Sequence, residues 1–355
     1  MTFDSHDTRP VLITGGCGFI GCNLAERLAA DGTSVLILDN LARAGVRENA
    51  QWLKSRYGER IEITVGDIRD PITVIDTVRE ASAVLHLAAQ VAVTSSVESP
   101  LDDFEINARG TVNVLEAVRL HNPSAPLIFA STNKVYGRLI EDTAIERAQL
   151  RYVPTDSRLA AGVTEAAPLD FYSAYGCSKG AADQYVRDYA RVFGLRTAVM
   201  RMSCIYGPRQ FGNEDQGWIA HFMLCALRGE PLTIYGDGYQ VRDALFVSDA
   251  VDAWIAVLRH IDAARGHIFN LGGGIANSVS LLELINLITR LTGREIHCDF
   301  SAWRPGDQPW YVTDIGALSS AVGWTPRTGL EDGLSLLEKW LQSRVRRPDT
   351  REAFA

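Results

Sequence analysis

A strand that runs straight into a glycine-rich turn and then a helix constrains this chain more than any other stretch. Val11-Leu12-Ile13 is a short apolar run, followed at once by Thr14-Gly15-Gly16-Cys17-Gly18-Phe19-Ile20-Gly21 and a helical pattern over 23–30. The glycines follow Gly-x-x-Gly-x-x-Gly rather than Gly-x-Gly-x-x-Gly. The physics is similar: a tight turn, close backbone approach to a pyrophosphate, and a helix N-terminus aimed at it. Gly15, Gly18, Phe19, Ile20 and Gly21 are therefore candidate dinucleotide contacts. A second apolar run, 34–38, ends on Asp39 beside Asn40. An acid there can accept both adenosine ribose hydroxyls and repels a 2′-phosphate, which favours NAD over NADP. Arg43 stands close enough to keep NADP open.

Further apolar runs at 61–65, 83–87, 127–130 and 196–201 alternate with helical patterns, among them an amphipathic one over 107–121. That rhythm predicts an α/β fold, a doubly wound parallel sheet of Rossmann type, with ligands beyond the carboxyl ends of the strands. The third run ends in Gly66-Asp67-Ile68, which puts Asp67 and Ile68 near the adenine. The fourth runs into Leu87-Ala88-Ala89-Gln90, where small residues let backbone lie against the cofactor. His86, within an apolar strand, reads as a core histidine without chemistry. The fifth delivers Ala130, Ser131 and Thr132 toward the nicotinamide and substrate, and the sixth leads to Met202 and Ser203.

The stretch 171–179, Phe-Tyr-Ser-Ala-Tyr-Gly-Cys-Ser-Lys, opens a second long helical pattern. Tyr175 and Lys179 are four residues apart and share one helix face. A lysine ammonium beside a phenol favours the phenolate, so Tyr175 is expected below its usual pKa near 10, able to take a hydroxyl proton and return it.

The chain has 355 residues, 46% hydrophobic and 22% charged, and a net charge of −8. That is a globular composition, and the acidic balance argues against nucleic acid or an anionic membrane as partner. Six scattered cysteines without paired spacing read as reduced thiols in a cytoplasmic protein rather than a disulfide framework or a metal site. No apolar run reaches spanning length, and the segment 1–9 is too polar for a signal peptide. The Rossmann domain is expected over 1–201, with an excursion at 138–170 that is in part helical, and is rejoined by about 241–262. A smaller, discontinuous substrate lobe takes 202–344, and 345–355 form a flexible tail. Arg242 and Arg304, in polar turns of that lobe, are candidates for clamping a diphosphate.

Together these pieces resemble the extended short-chain dehydrogenase/reductase family, the nucleotide-sugar epimerases and dehydratases. The resemblance spans the chain and rests on the glycine turn, Asp39, Asp67, Leu87-Ala88-Ala89, Asn107, Ser131-Thr132, Tyr175/Lys179, Arg242-Asp243 and Arg304-Pro305-Gly306-Asp307. It implies NAD held through the cycle, with Asn107 in the cofactor site. Thr132 would hydrogen-bond the reacting sugar hydroxyl, Tyr175 would act as base, and Lys179 would tune it and hold the nicotinamide ribose. The family's 4,6-dehydratases carry Asp-Glu after that threonine, whereas this chain has Asn133-Lys134. An amide cannot protonate a leaving hydroxide and an ammonium cannot abstract a C–H proton, so hydride transfer without elimination remains. The runs 131–137, 175–185 and 206–211 with 215–218 resemble the CDP-paratose 2-epimerase (CDP-tyvelose epimerase) group. That implies transient oxidation at C2 and hydride return, with Asn133, Ser203, Arg209, Gln216 and Trp218 joining Thr132, Arg242 and Arg304 around a nucleotide-diphosphate sugar. A UDP-sugar 4-epimerase is the alternative, and a cofactor-binding regulator without catalysis a further one. The family's pairing helices, 103–121 and 175–194, imply a homodimer, with a tetramer as the other option.

Overall fold

The structure, a computed structural model, describes residues 8–140, 144–304 and 306–345. Pro305 and the expected tail over 346–355 lie outside the described residues, as does most of the polar segment 1–9. The centre is a seven-stranded, wholly parallel sheet. Its strands run, edge to edge, Ile268–Leu271, Thr197–Met202, Leu127–Thr132, Ala83–His86, Val11–Thr14, Val35–Asp39 and Ile61–Val65. The four strands Val11–Thr14, Val35–Asp39, Ala83–His86 and Leu127–Thr132 are buried at every position, and their continuous apolar runs reflect a sheet covered on both faces. One face packs on the helices Phe19–Ala30, Val46–Tyr57 and Val247–Arg259, the other on Pro71–Arg79, Gly110–His121 and Ser173–Val192. The strand order reverses at Val11–Thr14, so the crevice beyond its carboxyl end is where such a sheet binds a ligand.

The second lobe is built on the strand Val241–Phe246. It pairs antiparallel with Ser278–Ser280 and parallel with Trp310–Tyr311 and Cys204–Tyr206. The return to the Rossmann core over 241–262 is thus split. Val241–Phe246 stays in the second lobe, while the helix Val247–Arg259 sinks Trp254 into the first core. The seventh strand, Ile268–Leu271, is an element the sequence pattern does not announce. The segment 138–170 is helical in part, with a 3₁₀ turn at Ser157–Leu159, but its centre is extended. Residues Ile145–Ala148 and Arg151–Pro154 pair as an antiparallel hairpin. It docks on the second lobe, where Arg151 grips Glu283 (2.6 and 2.7 Å) and Arg147 stacks over Tyr239. Helix Leu330–Val345 takes in residue 345 of the expected tail, and Arg344 pairs with Glu48 across the lobes. Among the described residues no helix is long and apolar enough to cross a membrane.

Candidate active site

A cleft of about 590 Å³ opens beyond the carboxyl ends of the parallel strands. At one end the glycine turn lies hard against its neighbours. Gly15 has φ +70°, and a Cβ there would stand 2.7 Å from the Ala88 nitrogen; one on Gly21 would stand 2.4 Å from the Gly15 oxygen. Both contacts are with backbone, so no side-chain rotation relieves them. Gly18 caps the helix Phe19–Ala30 without a side-chain bond, which leaves its first N–H groups bare beside the cleft. Asp39 is buried at the end of its strand and accepts from Cys17 N (3.0 Å) and Leu41 N (2.9 Å). Burial raises its pKa, and those two bonds oppose the rise. Asp67 is held by Arg69 (2.9 and 3.0 Å) and Asn40 (3.1 Å), and the arginine bond leads in bringing it down to about 2. Ile68, Leu87, Ala88, Ala89, Gln90, Ala130 and Met202 complete this wall. A bare helix N-terminus, an acid at the second strand end and a floor of small residues fit a dinucleotide.

Asn107 does not line the cleft. It sits, 1% exposed, in a single π turn, Glu105–Arg109, and brackets the Gln90 backbone by accepting from its N–H (2.9 Å) and donating to its carbonyl (3.0 Å). Arg43, which the sequence weighs only for cofactor choice, reaches across the cleft instead. Its guanidinium donates to Gln216, burial lowers its pKa, and Tyr175 is in its field.

At the other end of the cleft the helix Ser173–Val192 presents Tyr175 and Lys179 one turn apart, 9% and 3% exposed. Thr132, at the end of its strand, lines the cleft with Tyr175, and its hydroxyl donates to Asn133 Oδ1 (3.4 Å). The expected depression of the tyrosine is not found. Burial pushes Tyr175 up to about 12, with the Thr132 hydroxyl opposing the rise, Asp103 adding to it and Arg43 opposing it. Burial likewise brings Lys179 down to about 7 against the pull of Asp183 and Asp103. The Lys179 ammonium rests 4.1 Å from the Phe129 ring centroid. Desolvation of both charges outweighs helix-face proximity, and the sequence carries no direct signal of burial depth. His86 is wedged between Thr14 (2.6 Å) and Thr111 (3.0 Å) and stays neutral, its pKa lowered by burial to about 3.

Ser203, Arg209, Gln216 and Trp218 line the cleft, together with Cys204 and Phe211, which the sequence reading passes over. The Arg209 guanidinium lies 3.6 Å over the Trp52 ring, and Trp218 Nε1 donates to Cys204 Sγ (3.3 Å). Asn133 is buried and donates to Gln308 (3.3 Å). Arg242 and Arg304 are not in the wall of the cleft. Arg242 donates to the carbonyl of Val241 (2.8 Å); Arg304 donates to the Glu214 carbonyl (2.9 Å) and lies over Tyr235. Lys134 donates to the Gly306 carbonyl (3.1 Å), with Asp307 at 3.8 Å and Arg242 in its field. Burial leads in lowering it to about 8, so near neutral pH it is largely the ammonium that the argument against elimination needs.

Residues 11–272 match the NAD dependent epimerase/dehydratase family. The chain is 42% identical over 340 residues to the CDP-paratose 2-epimerase of Salmonella typhi, covering 94% of this chain and 99% of that one. The UDP-glucose 4-epimerase of Thermus thermophilus, solved in complex with NAD, superposes with a TM-score of 0.78 at 32% identity, covering 94% of this chain and 99% of that chain. The UDP-glucuronic acid 4-epimerase of Bacillus cereus, solved with UDP-glucuronic acid and NAD, gives 0.81 at 25% identity over the same shares. The chain therefore belongs to the NAD dependent epimerase/dehydratase family. It is an NAD-dependent nucleotide-sugar epimerase, an isomerase.

Proposed function

We propose that the chain inverts C2 of a nucleotide-diphosphate sugar, of the CDP-paratose/CDP-tyvelose kind, by transient oxidation of the C2 carbinol. The observation that carries this reading is that Thr132, Tyr175 and Lys179 line one end of the same cleft, with Asn133-Lys134 following the threonine in place of an acid pair. The similarity to the Salmonella typhi enzyme supports C2 and a cytidine nucleotide. NAD, when bound, would supply the hydride acceptor and donor for this chemistry. Thr132 orients the sugar hydroxyl toward Tyr175. Tyr175 then takes the hydroxyl proton while the carbon is oxidised and gives it back after the ketone has turned its other face. Lys179 has ammonium donors free of hydrogen bonds among the described residues and holds the nicotinamide ribose. Asp39 and Asn40 take the adenosine ribose, Asp67 and Ile68 flank the adenine, and the turn 15–21 takes the pyrophosphate. Asn107 acts indirectly, by fixing Gln90. Ser203, Gln216 and Trp218 surround the sugar, with Asn133 behind Thr132; Arg209, in the cleft wall, holds the diphosphate, and Arg242 and Arg304 join it by turning in from outside the wall, Arg304 leaving Glu214 and Asp215.

The enzyme works in the cytoplasm as a homodimer. All six cysteines are free thiols. Leu101 (80% exposed) and Phe104 (51%), with Tyr185 (48%), give the helices of the expected pairing face an apolar surface. Tyr175→Phe tests the central role. It should abolish turnover with NAD still bound, and unchanged turnover would show that another group moves the proton.

A further inference from the structure

Two buried charges at the site lack a direct ionic partner. Lys179 and Asp103 are 3% and 1% exposed. Among the described residues neither makes an ion pair. The Lys179 ammonium lies over Phe129. Asp103, on the short helix Pro100–Phe104, accepts only from neutral groups, the Ser178 hydroxyl and the Asn107 amide (3.2 Å). Ser178 is the residue before Lys179 and Asn107 brackets Gln90, so these bonds pin the carboxylate between the cofactor loop and the lysine's helix turn.

Of the other groups that face this pair, Asp183 acts on Lys179 ahead of Asp103. Asp183, on the lysine's own helix, is gripped by Arg201 through two bonds of 2.8 and 2.9 Å. His86, from the neighbouring strand, is neutral. Arg43 faces Tyr175, and its guanidinium is engaged by Gln216. Asp103 and Lys179 lie in each other's field, and Asp103 also acts on Tyr175.

We propose that Asp103, fixed by Ser178, is a positioning residue: a counter-ion that, beside Asp183, helps keep Lys179 protonated and, acting also on Tyr175, sets the pH window in which Tyr175 exchanges its proton. This rests on Tyr175 and Lys179 being the catalytic pair. The sign follows from charge alone. Without the carboxylate, the Lys179 ammonium loses an attractive neighbour and gives up its proton at lower pH. The Tyr175 phenolate loses a repelling neighbour and forms at lower pH. Both limbs of the activity profile therefore move the same way.

The test is Asp103→Asn in the full-length enzyme with its NAD. The pH profile of kcat for nucleotide-sugar epimerisation is recorded, and separately the tyrosinate absorbance of Tyr175 as the difference from Tyr175→Phe. Both limbs and the absorbance midpoint should fall by about 1 pH unit, the effect of one charge at short range. Ser178→Ala removes a hydrogen bond that favours the Asp103 carboxylate, so Asp103 gives up its charge more readily and both limbs should move the same way by less; it decides the matter if Asp103→Asn does not fold. Asp102→Asn, the same charge change one residue away in solvent, should move neither. A lower kcat with limbs and midpoint in place, or limbs that move apart, would overturn the proposal while leaving the Tyr175 assignment standing. Turnover retained in Tyr175→Phe would overturn that assignment instead.

Discussion

Removing Arg201 should destabilise the fold through the charge it leaves behind. Arg201 and Asp183 are 2% and 0% exposed, and the pair joins the strand Thr197–Met202 to the helix that carries Tyr175 and Lys179. The arginine also donates to Tyr136 (3.0 Å). In Arg201→Met the carboxylate stays buried, keeping only Ser131 (2.7 Å) and Gln184 (2.8 Å) as donors. Stranding one partner of a buried pair costs about 3–5 kcal/mol, and the two surviving bonds put this case near the lower figure, about 3 kcal/mol. Tyr136 keeps its bond to Asn270 (2.7 Å) and adds little. Urea unfolding of the two proteins measures the loss. Arg201→Met combined with Asp183→Leu removes the stranded charge and should recover all but about 1–2 kcal/mol, the remainder reflecting Ser131 without its acceptor. A single variant within about 1 kcal/mol of the parent, or a double variant no better than the single, would mean that the stranded charge is not what destabilises the fold.

Gly15→Ala should fold and lose its cofactor. The left-handed backbone costs about 1–2 kcal/mol, and the clash with the Ala88 backbone can be relieved only by moving the turn. Dinucleotide released on denaturing the purified variant reads the outcome; a parental content would contradict it. Acid should act through His86. Its folded pKa of about 3 lies below the ordinary 6.5, so between those values the unfolded chain takes up a proton that the folded chain refuses. Stability therefore falls as pH drops through that window, by up to about 1.4 kcal/mol per pH unit. His86→Gln, which does not titrate, should flatten that slope in urea unfolding against pH; an unchanged slope would assign the effect elsewhere.

Features set by a few neighbouring residues were legible before the fold. The glycine turn, Asp39 at a strand end and the Tyr175/Lys179 spacing each depend on local geometry, and all of them line one cleft. The hairpin over 145–154 was not, because its strands are short and half-exposed, and it is steadied by distant partners such as Glu283 and Tyr239. Arg43 joins the cleft wall only because the loop 207–217 folds over it. There Phe211 packs so close to Gly45 that a Cβ would overlap its ring. Asp103 carries no motif of its own, and its place emerges from a contact 75 residues away in the chain, with Ser178. The direction of the tyrosine shift failed for the same reason, since desolvation is a property of the packed site and helix spacing is silent about it.

Oxidation at the sugar carbon can be read on the sugar itself. The purified enzyme, without added cofactor, is incubated with CDP-, GDP- and UDP-sugars in deuterated water, and each sugar is read by NMR. A C2 epimer is expected in one nucleotide series, with no deuterium on carbon, because the hydrogen that leaves C2 comes back to it from bound NAD. Inversion at C4 would make the enzyme a 4-epimerase using the same Tyr175. Deuterium in the ring would mean that a proton is abstracted at carbon and that the sugar is not transiently oxidised by bound NAD.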